Sequence, residues 1–203
     1  DNAKELAQML EAAGVAAISV SAYPALVPMA FPGNYVHLAE AVKQVVTVPV
    51  IAVGMITPDL GEKILHQKMA DFIAIGKGLI ADPHLPEKAA AGKLEDIRPC
   101  LTCVNCWAPP EVRCTVNAAW RKERERSITL AKLLKKVFII GGGPSGMEAA
   151  RVAAERGHQV SLYDKQPALG GQLVAGSLMT SRIDNLIGYF TTQLSKLNVK
   201  IYL

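Results

Sequence analysis

Aromatic residues are scarce in this sequence, and long apolar runs are missing. Aromatic side chains make up 5% of the 203 residues, so the hydrophobic cores must be built from Val, Ile, Leu and Ala. No apolar run reaches the length of a membrane span, because Pro or Gly interrupts the longest ones. The chain opens on DNAKELAQML, which is polar and amphipathic and lacks an initiator Met. We therefore expect a globular, excised or processed piece without a signal peptide and without a membrane partner.

The positive charge of this chain is concentrated in one segment, and the rest of the chain has no excess of basic residues. The net charge is +4, yet residues 121–136 alone hold seven basic and two acidic residues, which exceeds that total. A nucleic-acid-binding surface needs basic residues spread over one face together with stacking aromatic side chains. The pattern instead predicts a basic, helix-prone connector, and nucleic acid is not expected as a partner.

Cysteine is absent from all but one short stretch. The segment PCLTCVNCWAPPEVRC, residues 99–114, holds all four cysteines, with the spacing C-x2-C-x2-C-x7-C. Disulfides are typical of small domains with weak cores in oxidising compartments, and neither condition fits this chain. Zinc sites usually pair two C-x2-C units across a longer span or include histidine, and His84 and His158 are far away in sequence. Repeated C-x2-C favours a 4Fe–4S cluster, with zinc and disulfides as the alternatives.

A glycine motif follows a predicted strand downstream of the cysteines. The apolar run 137–140 predicts a buried parallel strand, and Gly141, Gly143 and Gly146 then form G-x-G-x-x-G. These glycines permit a tight turn, an approach to a pyrophosphate and close helix–strand packing, in that order. Asp164 ends the next strand, where it can accept hydrogen bonds from an adenosine ribose. The order predicts the first βαβ of a Rossmann-like FAD/NAD(P)-binding domain, and the alternative is a glycine-rich turn without a ligand.

A second glycine pair follows that strand. Lys165 could be a solvated charge, and ALGGQL, residues 168–173, could be only a loop. Their position directly after Asp164 suggests a second approach to a flavin nucleotide. An amphipathic helix over 180–198 and a strand over 199–203 complete the pattern.

Helices and strands alternate before the cysteines, which implies a parallel sheet. The predicted helices cover 4–13, 36–46 and 58–68, and the predicted strands cover 16–20, 49–53 and 71–75. A complete (β/α)8 barrel needs about 250 residues. Fewer than a hundred precede Cys100. The sequence therefore predicts an α/β fold that contains the C-terminal part of a TIM barrel.

Two of these strands end in glycine. Gly54 and Met55 follow the second predicted strand, and Gly76 and Lys77 follow the third. The last two strand–helix loops of such barrels commonly hold a phosphate. Backbone N–H groups at these positions and the charge of Lys77 could bind one, or the glycines could merely turn the chain.

These stretches in combination resemble the two-flavin, iron–sulfur members of the old yellow enzyme class. That class includes 2,4-dienoyl-CoA reductase, 2-enoate reductase, trimethylamine dehydrogenase and related NADH:flavin oxidoreductases. The resemblance spans most of the chain from 47 to 173. It is carried by VPVIAVGMI, ADFIAIGKGLIADPHLPEKAAAGKLEDIRPCLTC, RCTVNAAW and VFIIGGGPSGMEAARVAAERGHQVSLYDKQPALGGQL.

The resemblance implies an FMN at the barrel, a 4Fe–4S cluster after it, and a C-terminal domain for FAD and NAD(P)H. In such enzymes electrons pass from NAD(P)H through FAD and the cluster to FMN, which reduces an activated C=C bond of a small-molecule substrate. An amine dehydrogenase of the same architecture and a zinc-stapled nucleotide-binding scaffold without a redox role are the alternatives. The implied contacts are Gly54, Met55, Gly76 and Lys77 for FMN, Gly141, Gly143, Ser145, Gly146, Asp164, Lys165 and Gln172 for FAD, and Cys100, Cys103, Cys106 and Cys114 for the cluster.

The resemblance implies a division of this chain into four segments. The barrel part is expected over 1–98, the cluster loop over 99–119, the connector over 120–135 and the start of the FAD/NAD(P) domain over 136–203. Reduced thiols and oxygen-sensitive chemistry predict the cytoplasm. This piece alone is expected to bind flavin poorly, because part of a barrel leaves sheet edges and apolar faces exposed.

The sequence also departs from the family pattern. Lys77 stands where the family usually has Arg, and the interval between Cys106 and Cys114 is shorter than usual. The family's acid–base residues are not visible, so no catalytic residue is assigned. Tyr23 and His37 are weaker candidates for a substrate contact, because rim packing and an exposed helix face explain them as well.

Overall fold

Two separate three-stranded parallel sheets organise this computed structural model. The structure describes residues 2–22, 32–107, 110 and 112–203. These residues form two compact units, an N-terminal unit, Asp1–Leu79, and a C-terminal unit, Ile80–Leu203. The α/β class with parallel sheets that the sequence predicts is confirmed.

The N-terminal unit alternates helix and strand, as its sequence pattern predicts. Its parallel sheet has the order β1-β2-β3. In chain order its elements are α1 (Asn2–Ala12), β1 (Ile18–Val20), α2 (Val36–Lys43), β2 (Val50–Val53), α3 (Pro58–His66) and β3 (Phe72–Ala74).

One apolar face of α2 and the central strand form the core of this unit. Val36, Ala39 and Val42 lie three residues apart on α2 and are buried. They share a cluster with Val50 and Ala52 of β2, which are fully buried. Burial of each valine removes apolar surface from water and stabilises the unit by about 1.5–3 kcal/mol.

Two short helices follow β3 that the sequence pattern does not reveal. They are α4 (Lys77–Ala81) and α5 (Leu85–Ala90), and a 3-10 turn over Leu94–Asp96 comes next. With five and six residues, both helices are too short to show a helical period.

The C-terminal unit contains the second parallel sheet, in the order β4-β5-β6. Helices α6 and α8 supply Met147, Ala150 and Leu194, which are fully buried in one core with Leu162 of β5. The elements are β4 (Lys136–Ile140), α6 (Pro144–Glu155), β5 (Gln159–Tyr163), α7 (Gln172–Ser177), α8 (Ser181–Lys196) and β6 (Lys200–Tyr202).

The helical tendency expected for the basic connector is wrong. Residues 121–135 contain turns and extended backbone but no helix, and Arg121 has a φ of 64° where the helix would begin. The Ala131 N–H donates to the Arg156 carbonyl at 2.9 Å, and Leu134 lies against Gly157. These contacts hold the segment beside the end of α6, and a helix would break them.

Candidate cofactor-binding sites

The first glycine loop joins β4 to α6. Gly141 has a φ of 107°, which only glycine adopts without strain, and its N–H donates to the Tyr163 carbonyl at 2.7 Å. A β-carbon on Gly146 would lie 1.8 Å from the Gly141 carbonyl oxygen, so the helix start touches the strand end. A β-carbon on Gly143 would meet nothing within 4 Å. The loop is therefore closed on its sheet side and open at Gly143.

Helix α6 begins directly at this open position. Gly143 is the N-cap residue and Pro144 occupies the first turn, where its missing N–H costs nothing. Ser145 is exposed next to it. The N–H groups of the first turn and the helix dipole favour an anionic group such as a phosphate at this end.

The Asp164 carboxylate is fixed against the same loop. Its Oδ1 accepts a hydrogen bond from the Gln166 N–H at 2.8 Å, and its Oδ2 accepts one from the Gly142 N–H. The N–H groups of Gln166 and Gly142 hold the pKa of the Asp164 carboxyl below its usual value. Asp164 is therefore an anion at neutral pH, positioned to accept hydrogen bonds from hydroxyl groups.

The second glycine pair packs on the first loop. The Gly170 N–H donates to the Gly142 carbonyl at 2.8 Å. A β-carbon on Gly171 would lie 3.0 Å from the Gly143 Cα. Gln172 begins α7, and both Gln172 and Lys165 are exposed. The structure thus brings together the two glycine loops that the sequence singles out, within the C-terminal unit.

The cysteine loop lies in the C-terminal unit as well. All four cysteines are within the described part of the chain, and there they are thiols, not disulfides. Cys103 is exposed, while the other three are half-buried. The Thr102 N–H points at the Cys100 sulfur at 3.4 Å. Hydrogen-bond donors therefore already face the sulfurs of this loop.

The backbone between the cysteines is strained. Thr102 and Val104 are β-branched, yet they have φ values of 53° and 55°. Such residues cost about 1–3 kcal/mol each in this region, and such outliers cluster at ligand sites. Successive right- and left-handed residues turn backbone N–H groups into an anion-binding concavity, as at many iron–sulfur sites.

The donor set and backbone fit an iron–sulfur cluster. Among the described residues, no three His, Cys, Asp or Glu side chains converge on one point where a single metal ion could bind. Four thiols with this spacing are the donor set that a 4Fe–4S cubane uses, with one thiolate for each iron.

The cysteine loop is anchored to the dinucleotide fold. Leu101 and Val116 pack against the core formed by α6, β5 and α8. Arg98 donates from Nη1 to the Val116 carbonyl at 2.8 Å and from Nε to the Tyr189 hydroxyl at 3.3 Å. The same guanidinium lies 3.8 Å from Glu148 of α6. Both ends of the cysteine loop therefore contact helices of the dinucleotide fold.

Asp82 stabilises the chain that leads into the cysteine loop. Its side chain is 4% exposed and accepts hydrogen bonds from Lys88 Nζ at 2.6 Å, the Arg98 N–H at 2.8 Å and the His84 N–H at 3.1 Å. Sequence reasoning missed Asp82 and Arg98. The one sequence feature that could have indicated Asp82 is the Asp-Pro pair at residues 82–83, which is typical of a turn.

In the N-terminal unit the two glycine-bearing strand ends are neighbours. Val53 pairs with Ala74, so Gly54 and Gly76 follow adjacent parallel strands at one edge of the sheet. Gly54 and Met55 have φ values of 136° and 50°. A β-carbon on Gly76 would meet nothing within 4 Å, and Lys77 begins α4 next to it. The structure brings all of the expected phosphate contacts to one edge.

Tyr35 is a residue at this edge that the sequence did not reveal. A β-carbon on Gly54 would lie 3.2 Å from the Tyr35 ring, so ring and loop are in contact. The Tyr35 hydroxyl is buried without a hydrogen-bond partner among the described residues. A buried hydroxyl is normally satisfied by a hydrogen bond, so the Tyr35 hydroxyl is a candidate polar contact in this part of the unit.

Two weaker candidates, Tyr23 and His37, remain from the sequence. Tyr23 lies outside the described residues. His37 is exposed on α2, as an exposed helix face predicts.

Two family models match different parts of the chain. The model described as "NADH:flavin oxidoreductase / NADH oxidase family" matches residues 3–96. The model described as "FAD dependent oxidoreductase" matches residues 136–194. The interval between the matches contains the cysteine loop.

Related proteins combine both parts. The NADH oxidase of Thermoanaerobacter brockii is 45% identical over 192 residues, which cover 87% of this chain and 30% of that protein. The cinnamate reductase of Clostridium sporogenes is 40% identical over 179 residues, 84% of this chain and 27% of that protein. A solved 2-naphthoyl-CoA reductase complex has a TM-score of 0.92 and 32% identity, and the match covers 98% of this chain and 33% of that one.

The chain thus spans about a third of the length of these relatives. Among the residues that the structure describes, no helix is both long enough and apolar enough to cross a membrane.

Proposed function

Because this chain belongs to the NADH:flavin oxidoreductase family and also carries an FAD-dependent oxidoreductase domain, we propose that the protein containing it reduces activated C=C bonds with NAD(P)H. Its substrates are small molecules of the enoate or enoyl-CoA type, and its compartment is the cytoplasm. The proposed segments are the barrel part over 1–98, the cluster loop over 99–119, the connector over 120–135 and the FAD/NAD(P) domain from 136.

The proposed sites are the three clusters of residues described above. Gly54, Met55, Gly76 and Lys77 hold the FMN phosphate, at the sheet edge where the Tyr35 ring contacts Gly54. The four cysteines hold the 4Fe–4S cluster. Gly141, Gly143, Ser145, Gly146, Asp164, Lys165 and Gln172 hold FAD.

When bound, these groups would supply the redox chemistry: FAD would accept a hydride from NAD(P)H, the cluster would carry single electrons, and FMN would deliver a hydride to the C=C bond. The residues of this chain bind and orient the groups. The first turn of α6 neutralises part of the FAD pyrophosphate charge. The Asp164 carboxylate accepts hydrogen bonds from the ribose. Lys77 neutralises FMN phosphate charge as a point charge, without the bidentate geometry of Arg.

The anchoring of the cysteine loop on the dinucleotide fold carries this proposal. Leu101 and Val116 pack into the core of that fold, and Arg98 bonds to both the loop and α8. A loop fixed in this way keeps its cluster at a constant distance from the FAD site, which one-electron transfer requires. A merely structural metal staple does not need this attachment to the nucleotide site.

The test is steady-state reduction of cinnamate by the anaerobically purified holoenzyme, with NADH and NADPH compared. We expect one nucleotide to support reduction of the C=C bond. Cys103→Ser, which removes a cluster ligand, should still let NAD(P)H reduce FAD but should lower C=C reduction at least about a hundredfold.

Two results would contradict the proposal. Wild-type cinnamate reduction in the Cys103→Ser enzyme would show that electrons do not pass through the cluster. Oxidation of methylated amines in place of C=C reduction would assign the enzyme to the amine dehydrogenases of the same architecture.

A further inference from the structure

A chain of side-chain hydrogen bonds ends on one of the cysteine sulfurs. Asn105 Nδ2 lies 2.9 Å from Thr115 Oγ1, and Thr115 Oγ1 lies 3.1 Å from Cys103 Sγ. Thr115 directly follows Cys114, so the two segments that carry the cysteines meet at this hydroxyl. Neither Asn105 nor Thr115 is a cluster ligand in the function proposed above.

Chemistry fixes the direction of these hydrogen bonds once iron is bound. An amide nitrogen can only donate, so Thr115 Oγ1 accepts from Asn105. An iron-bound thiolate has no hydrogen to give, so the Cys103 sulfur can only accept. The single hydrogen of the Thr115 hydroxyl is therefore directed to Cys103 Sγ, because the Asn105 amide occupies an acceptor position of the same oxygen.

We propose that Thr115 sets the reduction potential of the cluster by donating an O–H···S hydrogen bond to Cys103. The inference rests on the proposed function, because it requires a cluster on these cysteines. Reduction adds one electron and hence one negative charge to the cluster, with no bond made or broken and no proton transferred. A hydrogen bond to a ligand sulfur stabilises that extra charge and raises the potential.

Thr115 is a side-chain contribution to this tuning, and a substitution can remove it. The contact to Cys100 comes from the backbone N–H of Thr102, which no side-chain substitution deletes. Cys103 is the exposed cysteine, so a donor held in place by Asn105 gives its sulfur a fixed partner. Removing the hydroxyl should therefore change the potential without removing a ligand.

The experiment compares Thr115→Val with Thr115→Ser in the anaerobically purified holoenzyme. Valine keeps the shape and removes the hydroxyl, while serine keeps the hydroxyl and removes a methyl group. Iron and sulfide are assayed first, and the midpoint potential is then measured by redox titration followed by electron paramagnetic resonance. For T115V we expect a fall of about three- to tenfold in the equilibrium constant for reduction, about 28 to 59 mV for one electron. T115S should keep the wild-type potential.

The outcomes separate this inference from the function it rests on. A wild-type enzyme without iron and sulfide would overturn the proposed function and the inference with it. A loaded T115V enzyme with the wild-type potential would overturn the inference alone. So would T115S with the same fall as T115V, because the methyl group would then be the cause. If T115V does not retain its cluster, Thr115→Ala is titrated in its place, and loss of the cluster in both would assign Thr115 to folding of the loop.

Discussion

At the scale of the single residue, Gly146 shows how a missing side chain shapes the nucleotide site. A β-carbon there would lie 1.8 Å from the Gly141 carbonyl oxygen, which belongs to the backbone and cannot rotate away. The contact brings the start of α6 against the end of β4. The geometry of the glycine loop therefore depends on the missing side chain at this position.

Gly146→Ala should destabilise the enzyme and lower its FAD content. The added methyl group forces the helix start away from the strand, which costs about 1–3 kcal/mol as an overpacked contact. Gly188→Ala is the matched control, since a β-carbon on Gly188 of α8 meets nothing within 4 Å. Alanine there should stabilise the helix by up to about 1 kcal/mol. Thermal unfolding and FAD absorbance after gel filtration measure both effects, and an FAD-replete G146A enzyme with wild-type stability would contradict the assignment.

The Asp164 carboxylate gives a prediction on pH. Hydrogen bonds from the Gln166 and Gly142 N–H groups hold its pKa below the ordinary value of 3.8. A carboxyl whose pKa is depressed by folding stabilises the native state above the unfolded pKa, and this stabilisation is lost as the pH falls through the folded pKa. Asp164→Asn should therefore lower the melting temperature at about pH 7, and the difference from wild type should be smaller at about pH 3. An equal melting-temperature difference at both values would show that the carboxylate charge does not contribute.

The sequence alone predicts some of the residues at these sites but not others. The motif spacing predicts the positions of Gly141, Gly146 and Asp164, because a strand–turn–helix imposes local geometry. Tyr35 could not be found in this way, because its contact with Gly54 joins residues that no short motif links. Thr115 could not be found either, because its hydrogen bond to Cys103 depends on the folded path of the cysteine loop.

At the scale of elements, the segment between α4 and the cysteine loop is organised by one buried carboxylate. The Asp82 carboxylate, at the start of this segment, accepts hydrogen bonds from Lys88 of α5 and from the backbone N–H of Arg98. Arg98 in turn reaches Tyr189 of α8. The position of the cysteines thus depends on polar contacts in the segment that precedes them.

Asp82→Ala should be among the most destabilising substitutions in the C-terminal unit. It leaves the N–H groups of His84 and Arg98 without their acceptor and the Lys88 ammonium with only the Asp96 carbonyl, and removing one partner of a buried pair costs up to about 3–5 kcal/mol. Asp82→Asn keeps an acceptor oxygen and should cost less. Asp184→Ala, at an exposed position of α8, is the control and should cost about 1 kcal/mol or less. Denaturant unfolding gives the comparison, and a loss in D82A no larger than in the control would refute the role of Asp82.

Strongly periodic elements were predicted better than short ones. Strand β5 ends directly before Asp164, as predicted, and both ends of α8 lie within two residues of the predicted bounds, because the helical period and the capping residues agree. Helices α4, α5 and α7 were missed, since five or six residues do not complete two helical turns. The helical tendency predicted for the connector is wrong. The contacts of Ala131 and Leu134 beside Gly157 override its helix-forming composition.

At the scale of the whole molecule, the sequence predicted the combination of modules. The barrel part and the nucleotide domain correspond to the two matched families. What the sequence could not predict is how the cysteine loop is attached. Arg98 and Tyr189 are 91 residues apart, and no periodic pattern or spacing rule relates such positions. The proposed electron route therefore depends on contacts that only the folded chain reveals.

In the proposed function the four cysteines hold a redox cluster that passes electrons from FAD to FMN. The most direct test is the iron, sulfide and zinc content of the anaerobically purified enzyme, read together with its visible absorption spectrum. The account predicts about four irons and four sulfides per chain, with a broad brown charge-transfer band. One zinc ion without sulfide, in protein never exposed to air, would contradict it and leave a zinc-stapled nucleotide-binding protein.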